Sequence, residues 1–158
     1  MECKITEFDR RMMQAMHTID EYHEIYARRY GMTFMSITVL EYICLLQDQC
    51  TQKALCKELH YSKQCVNTIV KRLVKQGYVE LREHPADRRA KYIDLTPAGE
   101  AFASKVLWPI WDAEEDAMEP FSKEQEEMFL SKLELYTRVF ADRLTEKMEA
   151  AGGKPVSE

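Results

Sequence analysis

One segment, residues 62–76, constrains the fold most strongly, because its apolar and polar residues fall on two separate faces of a helix. The apolar side chains recur at i, i+3, i+4, i+7 and i+8 and are Val66, Ile69, Val70, Leu73 and Val74. The opposite face has no acidic residue and carries Lys63, Gln64, Asn67, Thr68, Lys71 and Arg72. Ser62 is a favourable N-cap, and Gly77 is a favourable terminator. The segment therefore predicts a helix with one buried face and one positively charged face.

A short helix is predicted before this segment and a hairpin after it. Thr51 is the expected N-cap of the short helix, and His60 and Tyr61 make the turn that follows. After Gly77 the apolar period changes to two, which predicts strands at 78–82 and 90–95. The charged tip between them, residues 83–89, is too short for a crossover helix. Two helices, a tight turn and a hairpin together predict a winged helix-turn-helix.

A long helix is predicted over residues 5–30 and ends at Gly31. Its apolar stripe has steps of three and four and consists of Ile5, Phe8, Met12, Met16, Ile19, His23, Tyr26 and Tyr30. Such a helix is about 40 Å long, more than a small domain can cover, so a partner chain is expected to bury part of it.

Three further helices complete the predicted fold. The first runs from Phe34 to Leu46. The second begins at Thr96 and Pro97 and continues towards Ala117. It is expected to kink at Pro109. The last opens with a capping box at Ser122 and runs to about Met148. The predicted class is mainly α with a small β-wing, comprising six helices and a two-stranded hairpin.

The predicted organisation has four parts. Residues 1–32 form an N-terminal dimerisation helix, and residues 33–96 form the winged helix-turn-helix domain. Residues 97–150 form C-terminal dimerisation helices, and residues 151–158 are expected to be a flexible tail.

Composition narrows the function. The whole chain has a net charge of −5, but residues 51–96 hold ten Lys or Arg and five Asp or Glu, a local charge of +5. This predicts a positive face on an acidic body, the alternative being a chance local excess. Five glycines without a phosphate-binding loop argue against an enzyme, and the scattered His and Cys predict neither a metal site nor a cofactor. The absence of a signal peptide and of long apolar runs predicts a cytoplasmic protein with no membrane contact.

The polar face of the helix at 62–76 suits the major groove of double-stranded DNA. Its first turn can approach base edges, where Ser62, Lys63, Gln64, Asn67 and Thr68 are the candidate contacts. Lys71, Arg72 and Lys75 are better placed for phosphates, which give affinity without sequence preference.

Three segments together resemble the MarR family of transcription regulators: TQKALCKEL at 51–59, SKQCVNTIVKRL at 62–73 and DRRAKYIDLT at 87–96. The resemblance covers about residues 33–99 by motif and the flanking helices by order and length. It implies a homodimer knit by the terminal helices, with DNA contacts from the wing residues Asp87, Arg88 and Arg89. Arg89 would enter the minor groove, whose negative potential attracts a guanidinium, with Asp87 as its ionic partner. The alternative is a solvated tip whose charges protect the hairpin edge.

The resemblance also implies an effector cleft for a small aromatic or phenolic molecule. Candidate lining residues are Met12, Met16, His17, Tyr26, Trp108 and Trp111, although such stripes are more often core. Cys65, in the first turn of the helix at 62–76, is a redox candidate. The alternative is that Cys65, like Cys44 and Cys56, fills the core.

The sequence thus predicts a DNA-binding transcriptional repressor that acts as a homodimer on a pseudo-palindromic operator and is released by a small-molecule effector. Two alternatives stay open: a cysteine-based redox sensor of the same fold, and a winged-helix protein–protein adaptor that has lost DNA contact. The acid-free helix face and the arginines of the wing argue against the adaptor.

Overall fold

The computed structural model describes residues 5–84 and 87–151, except for the side chains of residues 84–90. The elements follow in the order α1 (Glu7–Arg29), α2 (Phe34–Leu46), a 3-10 turn (Gln47–Gln49), α3 (Gln52–Leu59), α4 (Lys63–Lys75), β1 (Val79–His84), β2 (Asp87–Leu95), α5 (Pro97–Met118) and α6 (Lys123–Ala150). The six helices and the two-stranded antiparallel hairpin confirm the predicted fold class.

Side-chain caps set the helix ends where the sequence indicated them. The hydroxyl oxygens of Thr51 and Ser62 accept the backbone N–H groups of Ala54 at 3.1 Å and Cys65 at 3.2 Å. The capping box at the start of α6 is present, with the Ser122 N–H donating to Gln125 Oε1 at 2.8 Å. The first helix begins at Glu7 rather than at residue 5, because Thr6 caps it. These caps satisfy N–H groups that have no partner inside a helix.

The core of the winged domain gathers α2, α4, the hairpin and α5. Its largest fully buried side chains are Ile37, Leu40, Leu55, Leu73, Ile93, Leu107, Val39, Val66, Val70, Val106 and Cys50. Val74 was expected in the buried stripe, but it is 38% exposed. At about 100° of rotation per residue, Val74 lies about 80° around the helix from Val66, at the margin of the stripe.

The hairpin is longer than the sequence indicated. The strands reach His84 and Asp87, which pair with each other, so much of the predicted charged tip lies within β1 and β2. The register shifts between Glu83 and His84. The apolar alternation stops earlier because alternation marks only those parts of a strand that have one buried face. At its other end β2 is tied to the helix-turn-helix, since the Ile93 N–H donates to the Cys50 carbonyl at 2.9 Å.

The junction between the hairpin and α5 depends on Thr96 and Gly99. The Thr96 hydroxyl donates to the Gly77 carbonyl at 2.6 Å and accepts the Gly99 N–H at 3.0 Å, which confirms Thr96 as the N-cap. A Cβ atom on Gly99 would lie 1.8 Å from the Tyr78 carbonyl oxygen. Only glycine therefore permits this approach of α5 to the start of the hairpin.

Two tyrosines join α1 to α5 near Pro109. The Tyr26 hydroxyl donates to the Val106 carbonyl at 2.9 Å, and the Tyr30 hydroxyl lies 3.5 Å from the Lys105 carbonyl. Pro109 has no N–H with which to close the usual i to i−4 bond to Lys105, so a tyrosine hydroxyl beside that carbonyl compensates for the lost donor. The helix continues through Pro109 to Met118, and the kink expected there stays a prediction.

The chain divides into two compact units, Met1–Trp111 and Asp112–Glu158. In the first unit, the N-terminal half of α1 exposes Phe8, Met13, Met16 and Ile19, and Ile5 is exposed just before the helix. In the second unit, α6 exposes Met128, Phe129, Leu130, Leu133, Leu135, Tyr136, Val139, Phe140, Leu144 and Met148. None of the helices in the described part of the chain has the length and apolar character to cross a membrane.

Replacing Gly99 with Ala is expected to lower the free energy of unfolding by about 1–3 kcal/mol, because backbone must move to admit the methyl group. Urea unfolding followed by circular dichroism, at one fixed chain concentration, measures the change. Ala98→Ser, at an exposed neighbouring position, is the control and should stay within about 0.5 kcal/mol of the parent. Equal stability of Gly99→Ala and the parent would contradict the close approach.

Candidate nucleic-acid interface

The outward face of α4 is polar and basic along its whole length. Lys63, Gln64, Thr68 and Lys71 are exposed, and Asn67 is half-buried beside them. The opposite stripe is buried, with Val66 0% and Val70 1% exposed. Because one side of the helix is anchored in the core, the basic side has one fixed orientation towards solvent.

Asn67 has a neighbour that the sequence analysis missed. Gln52, in the first turn of α3, places its Nε2 atom 3.4 Å from Asn67 Oδ1. This contact holds the Asn67 amide with its oxygen towards α3. A carboxamide reads adenine through one donor and one acceptor, so its orientation decides what it can recognise. No periodicity links positions 52 and 67, and only the packing of α3 on α4 brings them together.

The hydroxyl groups of the first turns of α4 are engaged within the helix. The Ser62 hydroxyl caps the helix, and the Thr68 hydroxyl donates to the Gln64 carbonyl at 2.9 Å. Since the single hydroxyl proton of Thr68 is used in this way, its oxygen is available to a ligand only as an acceptor.

Arg72 ties α4 to the end of α1. Its NH2 group donates to the Gly31 carbonyl at 2.6 Å. A cation at the carboxyl end of a helix is favourable because that end carries partial negative charge. Arg72 thus has an internal partner, and its contact with phosphate stays a prediction.

The base of the wing is held by an arginine that the sequence analysis did not select. Arg82 donates to both carboxylate oxygens of Asp94, at 3.0 and 3.2 Å, and its guanidinium lies 4.7 Å from the centre of the Tyr92 ring. Hydrogen bonding to Asp94 raises the pKa of Arg82. Paired, two-point contacts of this kind restrict the direction of the strands.

The predicted wing contacts lie at the far end of the hairpin. Asp87, Arg88 and Arg89 belong to β2, and the backbone of Asp87 pairs with His84. Their side chains lie outside the described residues, and their contacts with DNA stay predictions.

The cavities among the described residues place the candidate effector residues at separate sites. Trp108 and Trp111 line a cavity of about 200 Å³ together with Cys44 and Leu95. His17 lines a separate groove on α1 beside Arg10 and Met13. The Tyr26 hydroxyl is engaged with α5, Met12 is half-buried and Met16 is 58% exposed.

The buried thiols favour the neutral form. Burial raises the pKa of Cys50 to about 12, and burial together with the charge of Glu41 raises the pKa of Cys44. A reactive thiol needs the opposite shift. Cys65 is half-buried against the core, and its redox role is untested. The described residues contain no group of three or more His, Cys, Asp or Glu arranged to hold a metal ion.

Comparison with known proteins identifies the architecture. Residues 30–90 match the sequence model of the MarR family. A crystal structure of a MarR family transcription regulator superposes with a TM-score of 0.74 at 25% identity, covering 85% of this chain and 88% of that one. Over residues 30–90 the chain is similar to the MarR family, and it has the winged-helix fold of that regulator.

Further structural neighbours have the same fold. The MepR–DNA complex of S. aureus superposes with a TM-score of 0.74 at 18% identity, covering 88% of this chain and 99% of that one. A MarR regulator from Methanosarcina mazei Go1 superposes with a TM-score of 0.66 at 21% identity, covering 87% and 99%. A comparison with curated proteins finds no match.

We expect Asn67→Ala to weaken binding to a selected DNA duplex by about 1–3 kcal/mol, since a base-reading amide is lost. Gln52→Ala should weaken binding less, and it should have no further effect in the Asn67→Ala background if Gln52 acts through Asn67. Fluorescence anisotropy of the two single variants and the double variant measures the coupling. Gln49→Ala, at an exposed position before α3, is the control; strictly additive losses would contradict the tether.

Proposed function

We propose that this protein is a transcriptional repressor that binds a pseudo-palindromic operator as a homodimer and is released by a small aromatic or phenolic effector. The observation that supports DNA reading most strongly is the outward face of α4, which is basic, free of acids and fixed by burial of the opposite stripe. A helix of this kind fits the major groove.

Two sets of contacts divide affinity from specificity. Lys63, Gln64 and Asn67 are in the first turns of α4 and take the base edges. Lys71 and Lys75 are nearer the carboxyl end and take phosphates, which add affinity regardless of sequence. Thr68 accepts hydrogen bonds from the DNA or from bridging water, since its own proton is used inside the helix.

The wing carries the second contact. Its base is fixed by the Arg82–Asp94 pair, and Arg89 lies further along β2 towards the tip. A guanidinium carried on a firm hairpin can enter a narrow minor groove, where the negative potential is enhanced. Asp87, on the same strand, is the proposed partner of Arg89.

A second copy of the chain covers the apolar faces. The exposed apolar side chains of α1 and α6 form long stripes rather than isolated residues, and stripes of this extent mark protein–protein interfaces. In a symmetric pair the two α4 helices would read half-sites one helical turn of DNA apart, about 34–36 Å.

Effector release follows from the same arrangement. A ligand that binds more tightly to one spacing of the two α4 helices shifts the population towards that spacing. If that spacing does not match the operator, the affinity for DNA falls and transcription resumes.

Arg89→Ala is expected to weaken binding to a duplex recovered by genomic-fragment selection by about 1–3 kcal/mol, because the minor-groove contact is lost. Fluorescence anisotropy measures the affinity, and sedimentation and thermal unfolding should match those of the parent. Arg143→Ala removes the same charge from α6 and is the control. Unchanged affinity of a folded Arg89→Ala protein would refute the proposed role of the wing.

A further inference from the structure

One cavity of the winged domain has walls of a distinct chemistry. It measures about 200 Å³ and opens between the end of β2, the second half of α2 and the middle of α5. Its lining residues are Cys44, Leu95, Glu100, Ala103, Ser104, Leu107, Trp108 and Trp111. Pockets for drug-sized ligands usually exceed about 300 Å³, so this cavity suits a molecule of about one ring.

The charged groups at this cavity are acidic. Glu100 lines it, and Glu41 lies beside it, accepting the indole N–H of Trp111 at 2.6 Å. The lining includes no Lys or Arg. The charge of Glu41 also contributes to the raised pKa of Cys44, so negative potential reaches the cavity wall.

The two indole rings reinforce this preference. Trp111 is held in place by its bond to Glu41 and is 37% exposed, and Trp108 is 61% exposed, so both rings are accessible at the cavity. The face of an indole attracts cations through its negative quadrupole, and tryptophan does so most strongly among the aromatic side chains. Carboxylates beside indole faces are the chemistry that recognises organic ammonium groups.

We propose that this cavity binds a small organic cation, an aryl or alkyl ammonium compound of about one ring. The inference rests on the proposed regulatory function and specifies its effector at Trp108 and Trp111. It differs from the phenolic effector that the family resemblance implies, because Glu41 and Glu100 would repel a phenolate.

The position of the cavity connects ligand binding with the wing. Leu95 is the last residue of β2 and follows Asp94, which holds Arg82 at the base of the wing. A ligand in the cavity contacts this strand end and α5 together. Binding is therefore placed to alter the direction of the wing and with it the contact of Arg89 with DNA.

The chain has two tryptophans, and both line this cavity, so intrinsic fluorescence reports on it without a label. The probes are benzylammonium, benzyl alcohol and benzoate, which have similar size and differ in charge. We expect benzylammonium to quench or shift the emission with an affinity about tenfold or more above that of benzyl alcohol, and benzoate to bind most weakly.

Two variants test the source of the preference. Glu41→Gln keeps an oxygen acceptor for the Trp111 N–H but removes the charge, and Glu100→Gln removes the other charge. Each should reduce the preference for benzylammonium several-fold. Glu124→Gln, in the first turn of α6, makes the same change in net charge outside the lining and should leave the preference unchanged. Near-ultraviolet circular dichroism establishes that each variant is folded.

Tighter binding of benzoate than of benzylammonium, absence of binding by all three probes, or a cation preference that survives both variants would overturn the proposal. The three-probe comparison on the parent protein needs no variant and stands even if a variant fails to fold.

Anisotropy with labelled DNA in the absence of probes is measured separately. DNA binding without cation selectivity rejects the cation site alone, whereas cation selectivity without DNA binding rejects the regulatory function.

Discussion

Burial of the apolar stripe of α4 is the interaction on which the rest of this structure depends. Val66, Val70 and Leu73 are each at most 1% exposed, and full burial of such side chains is worth about 1.5–3 kcal/mol apiece. The stripe fixes the rotation of the helix about its own axis. Because of that constraint, Lys63 and Gln64 face outward on one surface. Loss of a buried stripe residue would therefore disturb the whole outward face of α4.

Polar contacts at the edges of α4 then connect that surface with the remainder of the winged domain. Arg72 reaches back to the Gly31 carbonyl at the end of α1, and Gln52 of α3 approaches Asn67. At the other side, Thr96 links the start of α5 to Gly77. These direct bonds join α1, α3, α4 and the start of α5 within one unit. They are the physical basis for the proposed regulation.

Local sequence patterns predicted most of the fold, because helix caps and helix ends depend on residues that are close together in the sequence. The bounds of α2 and the caps at Thr51 and Ser62 follow from residues within one turn of each other. The sequence did not indicate the contacts between distant positions, such as Gln52 with Asn67 or Glu41 with Trp111. The predicted strands were also too short. The charged residues near the tip of the hairpin show no apolar alternation, although some of them are paired.

We propose that two copies of this acid-free surface read one duplex. The most direct measurement is analytical ultracentrifugation of the protein with a labelled duplex recovered by genomic-fragment selection. We expect two chains per duplex and a recovered site with two inverted half-sites whose centres are about 10 base pairs apart. A protein that sediments as a single chain and binds no double-stranded fragment, even at low ionic strength, would contradict it.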